Sequence, residues 1–244
     1  MLLRWRHPTL GFLHPGKFLK IAEDLGLIIP LGKWIFEQAA QTLQWLQSQG
    51  LRVNGAINIS ARQFADANFV SELLFAIQNA GINSSSVEIE ITESLAMENL
   101  DRTRRKLLEL KAQGITITVD DFGTGYSSLS YLKRLPIDKL KIDKSFVRHV
   151  ITDEQDTSII KAIISMANSL HLKVVAEGVD SEVQLHLLES LGCQELQGFF
   201  ISRPLTQTAL VDFIKSVNVP KIEAISSEKT TSSVQEVVPE KLEN

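Results

Sequence analysis

Polar side chains that could bind a metal ion or a phosphate group recur at the ends of short apolar runs along the chain. The runs are rich in β-branched residues, which is typical of strands, and six successive runs share this arrangement. A single polar residue at a strand end carries little information, because chains often leave a sheet into water. Six in a row instead predict a shared site. The polar residues concerned are Asn58, Glu90, Glu93, Asp120, Asp121, Lys141, Asp143, Glu177 and Gln197.

The residue types indicate metal-assisted chemistry on a phosphate ester. Most are hard oxygen donors, which suit Mg²⁺ or Mn²⁺ better than Zn²⁺. Several carboxylates in one place would repel each other strongly, which favours one or two bound divalent ions. The adjacent Asp120 and Asp121 point in different directions after a strand, so one could bridge two metals while the other binds one. Such a metal pair stabilises the attacking and leaving oxygens of a phosphodiester during in-line displacement. The ligand candidates are Asn58, Glu90, Asp120, Asp121 and Glu177.

Two further features fit this chemistry, and each also has a simpler explanation. Lys141 could orient the attacking water or stabilise phosphate charge, or it could be only the ion-pair partner of a carboxylate. The segment DDFGTGYSS, residues 120–128, has two glycines that allow a tight loop near the metals, or it could be an ordinary βα turn. Its DFG triplet resembles a kinase motif, but the other kinase motifs are missing from the sequence.

Composition and charge exclude several functional classes. The chain has 25 Lys and Arg against 29 Asp and Glu, a net charge of −4, which gives no broad basic surface for duplex nucleic acid or an anionic membrane. The sequence contains no apolar run long enough to cross a bilayer. The single Cys193 cannot form an internal disulfide, which fits a cytoplasmic location.

Short strand-like runs alternate with stretches of helical period over residues 1–217, and residues 218–244 form a polar tail that we expect to be disordered. The alternation implies parallel strands joined by crossover helices, and the strand-like runs read as apolar on both faces. No glycine-rich dinucleotide motif follows the first strand, which favours a TIM-like (β/α)8 barrel over a doubly wound sheet. The predicted strands are 2–5, 53–59, 87–92, 115–119, 139–142, 172–176 and 194–197. The predicted helices are 31–49, 61–79, 100–113, 155–170 and 181–190.

Seven motifs follow one another along the chain: LLRW (2–5), NIS (58–60), EIEITES (88–94), DDFGTGYSSL (120–129), KID (141–143), AEGV (176–179) and QGFFISRPL (197–205). In this order they resemble the EAL-domain family of bacterial cyclic di-GMP phosphodiesterases, and the resemblance extends from Leu2 to about Phe213. It implies a TIM-like barrel with a modified or truncated first strand. It also implies metal-dependent hydrolysis of cyclic di-GMP to linear pGpG by in-line attack of a metal-bound water.

The resemblance implies metal and catalytic roles for particular residues. Asn58, Glu90 and Asp120 resemble the ligands of one Mg²⁺ or Mn²⁺ ion. Asp120, Asp121 and Glu177 resemble the ligands of a second ion, so the family pattern implies two ions in each site. Asp121 and Glu177 also count among the catalytic residues, and Glu177 resembles a residue that is either a ligand or a general base.

The resemblance also implies roles around the metals. Lys141 resembles the catalytic lysine near the hydrolytic water, and Glu93 the glutamate that anchors the DDFGTGYSS loop. Arg4 resembles an arginine that contacts the substrate phosphate, and Gln197 a glutamine that lines the site. The family often forms homodimers through the side of the barrel that carries this loop, so we expect a homodimer here.

The main departure from the family pattern is at the start of the chain, where the signature glutamate would precede Met1 and Met1 itself occupies the alanine position. Since the other motif residues are present, we expect a fragment of a larger protein with an upstream sensory or cyclase-like module. The alternative is a non-catalytic cyclic di-GMP receptor or interaction module. A purely structural barrel that dimerises through the loop is a third possibility.

Overall fold

The structure is a computed structural model that describes residues 1–125 and 129–217. Residues 126–128 of the DDFGTGYSS loop and the predicted tail, 218–244, lie outside the described residues. In chain order the elements are β1 (Trp5–His7), β2 (Gly11–Leu13), α1 (Leu19–Asp24), α2 (Ile28–Ser48), β3 (Gly55–Ile59), α3 (Ala61–Ala65), α4 (Phe69–Asn79), β4 (Val87–Thr92), α5 (Glu93–Glu98), α6 (Leu100–Ala112), β5 (Thr116–Phe122), α7 (Leu129–Leu132), β6 (Lys139–Ile142), α8 (Lys144–His149), α9 (Glu154–Ser169), β7 (Lys173–Glu177), α10 (Glu182–Ser190), β8 (Glu195–Gln197) and α11 (Gln207–Val217).

The main sheet consists of six parallel strands in the order β3-β4-β5-β6-β7-β8. Helices connect successive strands, as parallel pairing requires. The sheet is curled. Its curvature brings the Lys139 ammonium on β6 within hydrogen-bond distance of carboxylates on β4 and β8, two strands away on either side. The predicted TIM-like (β/α)8 fold class is confirmed, and the six predicted strands from residue 53 onward match β3 to β8 within a few residues. The largest difference is β5, which continues to Phe122 instead of ending at Val119.

The two faces of the sheet differ in polarity. Alternate strand residues point outward beneath the helices and are almost fully buried. The residues between them point inward and are mostly polar, so the expectation of strands apolar on both faces was wrong. The outward set is Ile57, Ile89, Ile91, Ile117, Val119, Leu140, Ile142, Val174 and Ala176. The inward polar set is Asn58, Glu88, Glu90, Thr118, Asp120, Lys139, Lys141, Glu177, Glu195 and Gln197.

The N-terminal residues differ most from expectation. The predicted strand at 2–5 is wrong except at Trp5, since β1 begins there and pairs antiparallel with β2 in a separate two-stranded sheet. The His7 ring accepts hydrogen bonds from the backbone N–H groups of Thr9 and Leu10, which holds the turn between the strands. The amino group of Met1 donates to the carbonyl of Ala56, so the chain start lies beside β3.

The helices follow the predicted pattern with one interruption. The predicted helix 61–79 is split into α3 and α4, because the Asp66 side chain accepts a hydrogen bond from the N–H of Asn68 and forms a turn. The Lys106 ammonium binds the carbonyls of Phe64 and Asp66, which satisfies the end of α3. No helix within the described ranges is long and apolar enough to cross a membrane.

Candidate active site

Asn58 and Glu90 form one side of the candidate site. They lie opposite each other in the register of β3 and β4, and the Asn58 amide donates a hydrogen bond of 2.7 Å to Oε2 of Glu90. Ile57 and Ile59 are buried on the outer face, so strand alternation directs Asn58 inward. The two side chains therefore present an amide and a carboxylate at the same height in the barrel.

Lys141 lies at the centre of the site. Its ammonium is 2.9 Å from Oε1 of Glu90 and 3.2 Å from Oδ1 of Asp120, and it also contacts Oε1 of Glu177. Burial alone would lower the pKa of Lys141, but the three carboxylates outweigh burial and raise this pKa above its usual value. Lys141 is thus a buried, permanently charged ammonium. The structure shows ion pairing, the simpler of its two predicted roles, and the water-orienting role stays a prediction.

Asp120 and Asp121 reach the same side of the sheet through an irregularity in β5. Adjacent residues of a regular strand point to opposite faces. Here the register with β6 shifts between Val119 and Phe122, and Asp121 has a φ of 54°. Its backbone N–H donates a hydrogen bond of 2.9 Å to Oδ1 of Asp120. A bulge and a left-handed residue therefore reorient Asp121, so that its carboxylate lies near that of Asp120.

Three carboxylates are close enough to share a cation. One oxygen from each of Asp120, Asp121 and Glu177 lies within 4.8 Å of the other two. Oxygens on opposite sides of one Mg²⁺ are about 4 Å apart, and those around Ca²⁺ about 5 Å, so this donor set fits a divalent ion. The sequence analysis assigned these residues to the second metal. Its first set shares Asp120 and adds Asn58 and Glu90, which the Lys141 ammonium and the Asn58 amide bring into the same network.

The electrostatics of the site favour a cation there. Partial burial of the Asp121 carboxyl raises its pKa, and repulsion from Asp120 and Asp143 raises it further. Burial also raises the pKa of Glu177, with smaller contributions from Asp120 and Glu90, although the Lys141 ammonium opposes the change. Both groups therefore hold their protons more strongly than free carboxyls, and a divalent ion would remove that repulsion.

Glu93 connects the site to the loop that follows Asp121. Glu93 is buried at the start of α5, and its Oε2 accepts a hydrogen bond of 2.9 Å from the N–H of Gly123. Gly123 has a φ of 101°, a backbone angle that residues with a side chain rarely adopt. A methyl group at Gly125 would lie 2.8 Å from Oε1 of Glu93, so the backbone of the loop passes close to this carboxylate. The described part of the loop thus has the Glu93 contact that the family resemblance implies.

The amino-acid sequence matches a known protein family over most of the chain. Residues 1–204 match the EAL domain. The chain belongs to the EAL domain family.

Two relatives of this EAL domain are larger proteins, and the domain aligns with a part of each. It is 44% identical over 211 residues to the bifunctional diguanylate cyclase/cyclic di-GMP phosphodiesterase MucR of Pseudomonas aeruginosa, covering 86% of this chain and 31% of MucR. It is 43% identical over 216 residues to the cyclic di-GMP phosphodiesterase NbdA of the same bacterium, covering 88% of this chain and 28% of NbdA. The chain therefore spans about a third of the length of these relatives.

A solved structure of a similar EAL protein has the same fold. The structure described as the PaMucR phosphodiesterase in complex with c-di-GMP aligns with a TM-score of 0.82 and 44% identity. The alignment covers 86% of this chain and 85% of that one.

Gln197 and Arg4, the two predicted substrate contacts, lie in different places relative to the acidic network. Gln197 ends β8 opposite Glu177, and it is exposed. Arg4 donates to the carbonyl of Leu3, and it lines a mainly apolar groove of about 710 Å³ between the hairpin, α1 and α2. The hydrogen bonds and ion pairs described for the acidic network do not include Arg4.

The backbone hydrogen bonds beside Glu177, here called the backbone lock, were not predicted from the sequence. The N–H of Val179 donates to the carbonyl of Gln197, and the N–H of Phe200 donates to the carbonyl of Val179. A methyl group at Gly198 would lie 2.0 Å from the Val179 oxygen, so this close approach requires glycine. Gly178 has a φ of 76° and follows Glu177 directly. The signal in the sequence is that a glycine follows both Glu177 and Gln197.

Proposed function

We propose that this EAL domain hydrolyses one 3′–5′ phosphodiester bond of cyclic di-GMP and releases linear pGpG. The observation that carries the proposal is the Asp120, Asp121 and Glu177 cluster beside the buried ammonium of Lys141. The cluster lies at the carboxyl end of a parallel barrel sheet, which is where such barrels perform their chemistry. The relatives MucR and NbdA are both named as cyclic di-GMP phosphodiesterases, which supports cyclic di-GMP as the substrate.

The proposed cofactors are two Mg²⁺ or Mn²⁺ ions. Asn58, Glu90 and Asp120 would hold one ion, and Asp120, Asp121 and Glu177 the other. Oxygen donors of these types, with Asp120 shared, support the assignment. When bound, two such ions activate a water molecule and stabilise charge on the attacking and leaving oxygens of a phosphodiester.

Glu177 is proposed either as a ligand of the second ion or as the proton acceptor. Burial raises the pKa of its carboxyl above the usual value of a glutamate, and a carboxylate that binds a proton more strongly is a better base. Its position at the end of β7, in contact with Lys141, leaves it half-buried and able to face both solvent and the metal cluster. The lysine would orient the water molecule that loses its proton, and its positive charge would attract the phosphate of the substrate.

The remaining assignments concern substrate binding and assembly. Arg4 and Gln197 would contact the dinucleotide, and the exposure of Gln197 beside Glu177 supports its part. Glu93 would transmit the order of the DDFGTGYSS loop to the metals through Gly123, and a homodimer would form on this side.

We also propose that residues 1–217 form the catalytic unit. The name of MucR includes a cyclase, which supports a cyclase-like or sensory module upstream in the whole protein. A cytoplasmic location is proposed because the one cysteine, Cys193, is a free and buried thiol.

Incubation of the chain with cyclic di-GMP and either Mn²⁺ or Mg²⁺ tests the function, with pGpG measured by chromatography. A second protein, in which Met1 is replaced by alanine and a glutamate is placed directly before it, repeats the assay, because the family signature has Glu-Ala before Leu2. Glu177→Gln serves as the inactive variant and Glu109→Gln, on the exposed side of α6, as the matched control. Product from neither protein would overturn the proposal. Calorimetric binding of the dinucleotide without product would select the receptor function instead.

A further inference from the structure

A second ion-pair layer lies inside the barrel, below the candidate site. The Lys139 ammonium is 2.9 Å from Oε2 of Glu88 and 2.7 Å from Oε2 of Glu195. The hydroxyl of Thr118 donates to the other oxygen of Glu88. Only 12% of the Lys139 side chain and 9% of the Glu88 side chain are exposed, whereas 37% of the Glu195 side chain is exposed. The network is therefore buried at Lys139 and Glu88 and reaches the surface at Glu195.

The members of this layer come from alternate strands. Glu88 is on β4, Lys139 on β6 and Glu195 on β8. In (β/α)8 barrels, side chains from alternate strands fill one layer of the interior. Each member lies two residues before a residue of the layer above, about 7 Å along its strand. The upper layer, on the same three strands, is Glu90, Lys141 and Gln197.

Lys139 is the one cation among these three residues, and it is the link between the strands. Burial alone would lower its pKa, but hydrogen bonds to Glu195 and Glu88 raise the pKa of Lys139, so the ammonium stays charged. β8 has three residues and pairs with β7 in the described sheet. The bond from Lys139 to Glu195 therefore supplements a short ladder and connects β8 to β6 and β4.

We propose that Lys139 is a positioning residue that fixes the spacing of β4, β6 and β8 and thereby places Gln197 relative to Glu90 and Lys141. It does not touch the substrate. The consequence for turnover rests on the proposed function, whereas the consequence for β8 does not.

Hydrogen exchange measured by mass spectrometry on the full chain tests the positioning, in the absence of metal and nucleotide. The variant is Lys139→Met, which keeps the length of the side chain and removes the charge. Lys173→Met is the matched control, since Lys173 lies 3.7 Å from the same Glu195 but is 66% exposed. We expect exchange in the peptide containing β8 to rise about tenfold in Lys139→Met, because a hydrogen bond between charged groups is lost, and to stay within about twofold in Lys173→Met. Equal exchange in the two variants would overturn the proposal.

Two further variants separate positioning from loss of folding. Glu195→Gln leaves the pair between Lys139 and Glu88 intact, and Lys139→Arg restores a cation at the same place. In an active enzyme we expect Glu195→Gln to raise the KM for cyclic di-GMP about fivefold with kcat within about twofold, because the displaced Gln197 weakens binding. Lys139→Arg should recover β8 protection. An unchanged KM in Glu195→Gln contradicts the inference. An inactive unsubstituted chain contradicts the proposed function instead, and the exchange data still decide the role of Lys139.

Discussion

The backbone N–H of Asp121 donates a hydrogen bond of 2.9 Å to the side chain of Asp120, and this contact accompanies a φ of 54° at Asp121. Left-handed backbone costs a residue with a side chain about 1 kcal/mol, although aspartate tolerates it better than most. The bulge in β5 brings both carboxylates to the inner side. The left-handed residue therefore brings two carboxylates close together, and a cation near them would reduce their repulsion.

Asp121→Asn should separate metal binding from folding. Asparagine also tolerates the left-handed backbone, so the fold should persist. Without metal, the variant should melt at the same or a higher temperature, because repulsion from Asp120 and Asp143 is removed. With Mn²⁺, it should lose most of the thermal stabilisation that the unsubstituted chain gains. Thermal unfolding with and without Mn²⁺ measures both effects, and full stabilisation of the variant by Mn²⁺ would remove Asp121 from the metal site.

The stability difference between Asp121→Asn and the unsubstituted chain should depend on pH in a defined direction. The pKa of Asp121 is raised in the folded protein, so the folded state binds the proton more strongly than the unfolded state. Stability contributed by the protonated carboxyl is then present at low pH and lost as pH rises from the unfolded pKa through the folded pKa. Carboxyl groups in proteins usually titrate in the acidic range. Between pH 4 and pH 7, the melting temperature measured without metal should therefore fall less in Asp121→Asn than in the unsubstituted chain.

Lys141→Met should destabilise the domain strongly when metal is absent. The substitution leaves Glu90, Asp120 and Glu177 near one another without their shared cation. Removal of one partner of a buried ion pair costs about 3–5 kcal/mol, and Mn²⁺ should restore part of this by supplying positive charge. Urea unfolding, with and without Mn²⁺, gives the free energy of unfolding in each case.

The control for this experiment is Lys111→Met. Lys111 forms a half-exposed pair with Asp138, so its loss should cost about 1 kcal/mol or less and should not respond to Mn²⁺. A Lys141→Met protein as stable as this control would show that the central ammonium does not hold the carboxylates together.

Much of the fold could be predicted because its signals are local. The β-branched runs located six strands, and strand-end polarity placed Asn58, Glu90 and Glu177 on one face. The inner polar layer was missed, although the alternation of Glu88 and Glu90 with isoleucines, and of Lys139 and Lys141 with Leu140, was visible in the sequence. Reading these runs as apolar on both faces concealed this period of two.

Other features depend on contacts between distant segments. The bulge at Asp121 arises from the register between β5 and β6, which residues 116–122 do not encode alone. The break after α3 involves the ammonium of Lys106, on a helix far along the chain. Periodicity cannot predict such events, since it describes one segment at a time.

Glu177→Gln should abolish turnover and leave the fold intact. The side chain keeps its size but loses the charge that would accept a proton and bind the metal. Loss of a positioned acid–base group lowers rates by about 100- to 10,000-fold, so we expect kcat to fall by about 100-fold or more. Circular dichroism checks the fold, and pGpG formation measures the rate. Retained full activity would exclude Glu177 from the mechanism.

Gly198→Ala tests whether the lock between β8 and the residue after Gly178 positions Glu177. The new methyl group would lie 2.0 Å from the oxygen and 2.3 Å from the nitrogen of Val179, so one of the two backbones must move. Since Val179 is two residues from Glu177, we expect kcat to fall about tenfold or more, because small displacements of catalytic groups are costly. Gly16→Ala is the control, because nothing lies within 4 Å of its added methyl group. Activity assays with melting temperatures on both variants measure the effect. If Gly198→Ala lost stability but kept its kcat, the lock would matter for folding and not for the placement of Glu177.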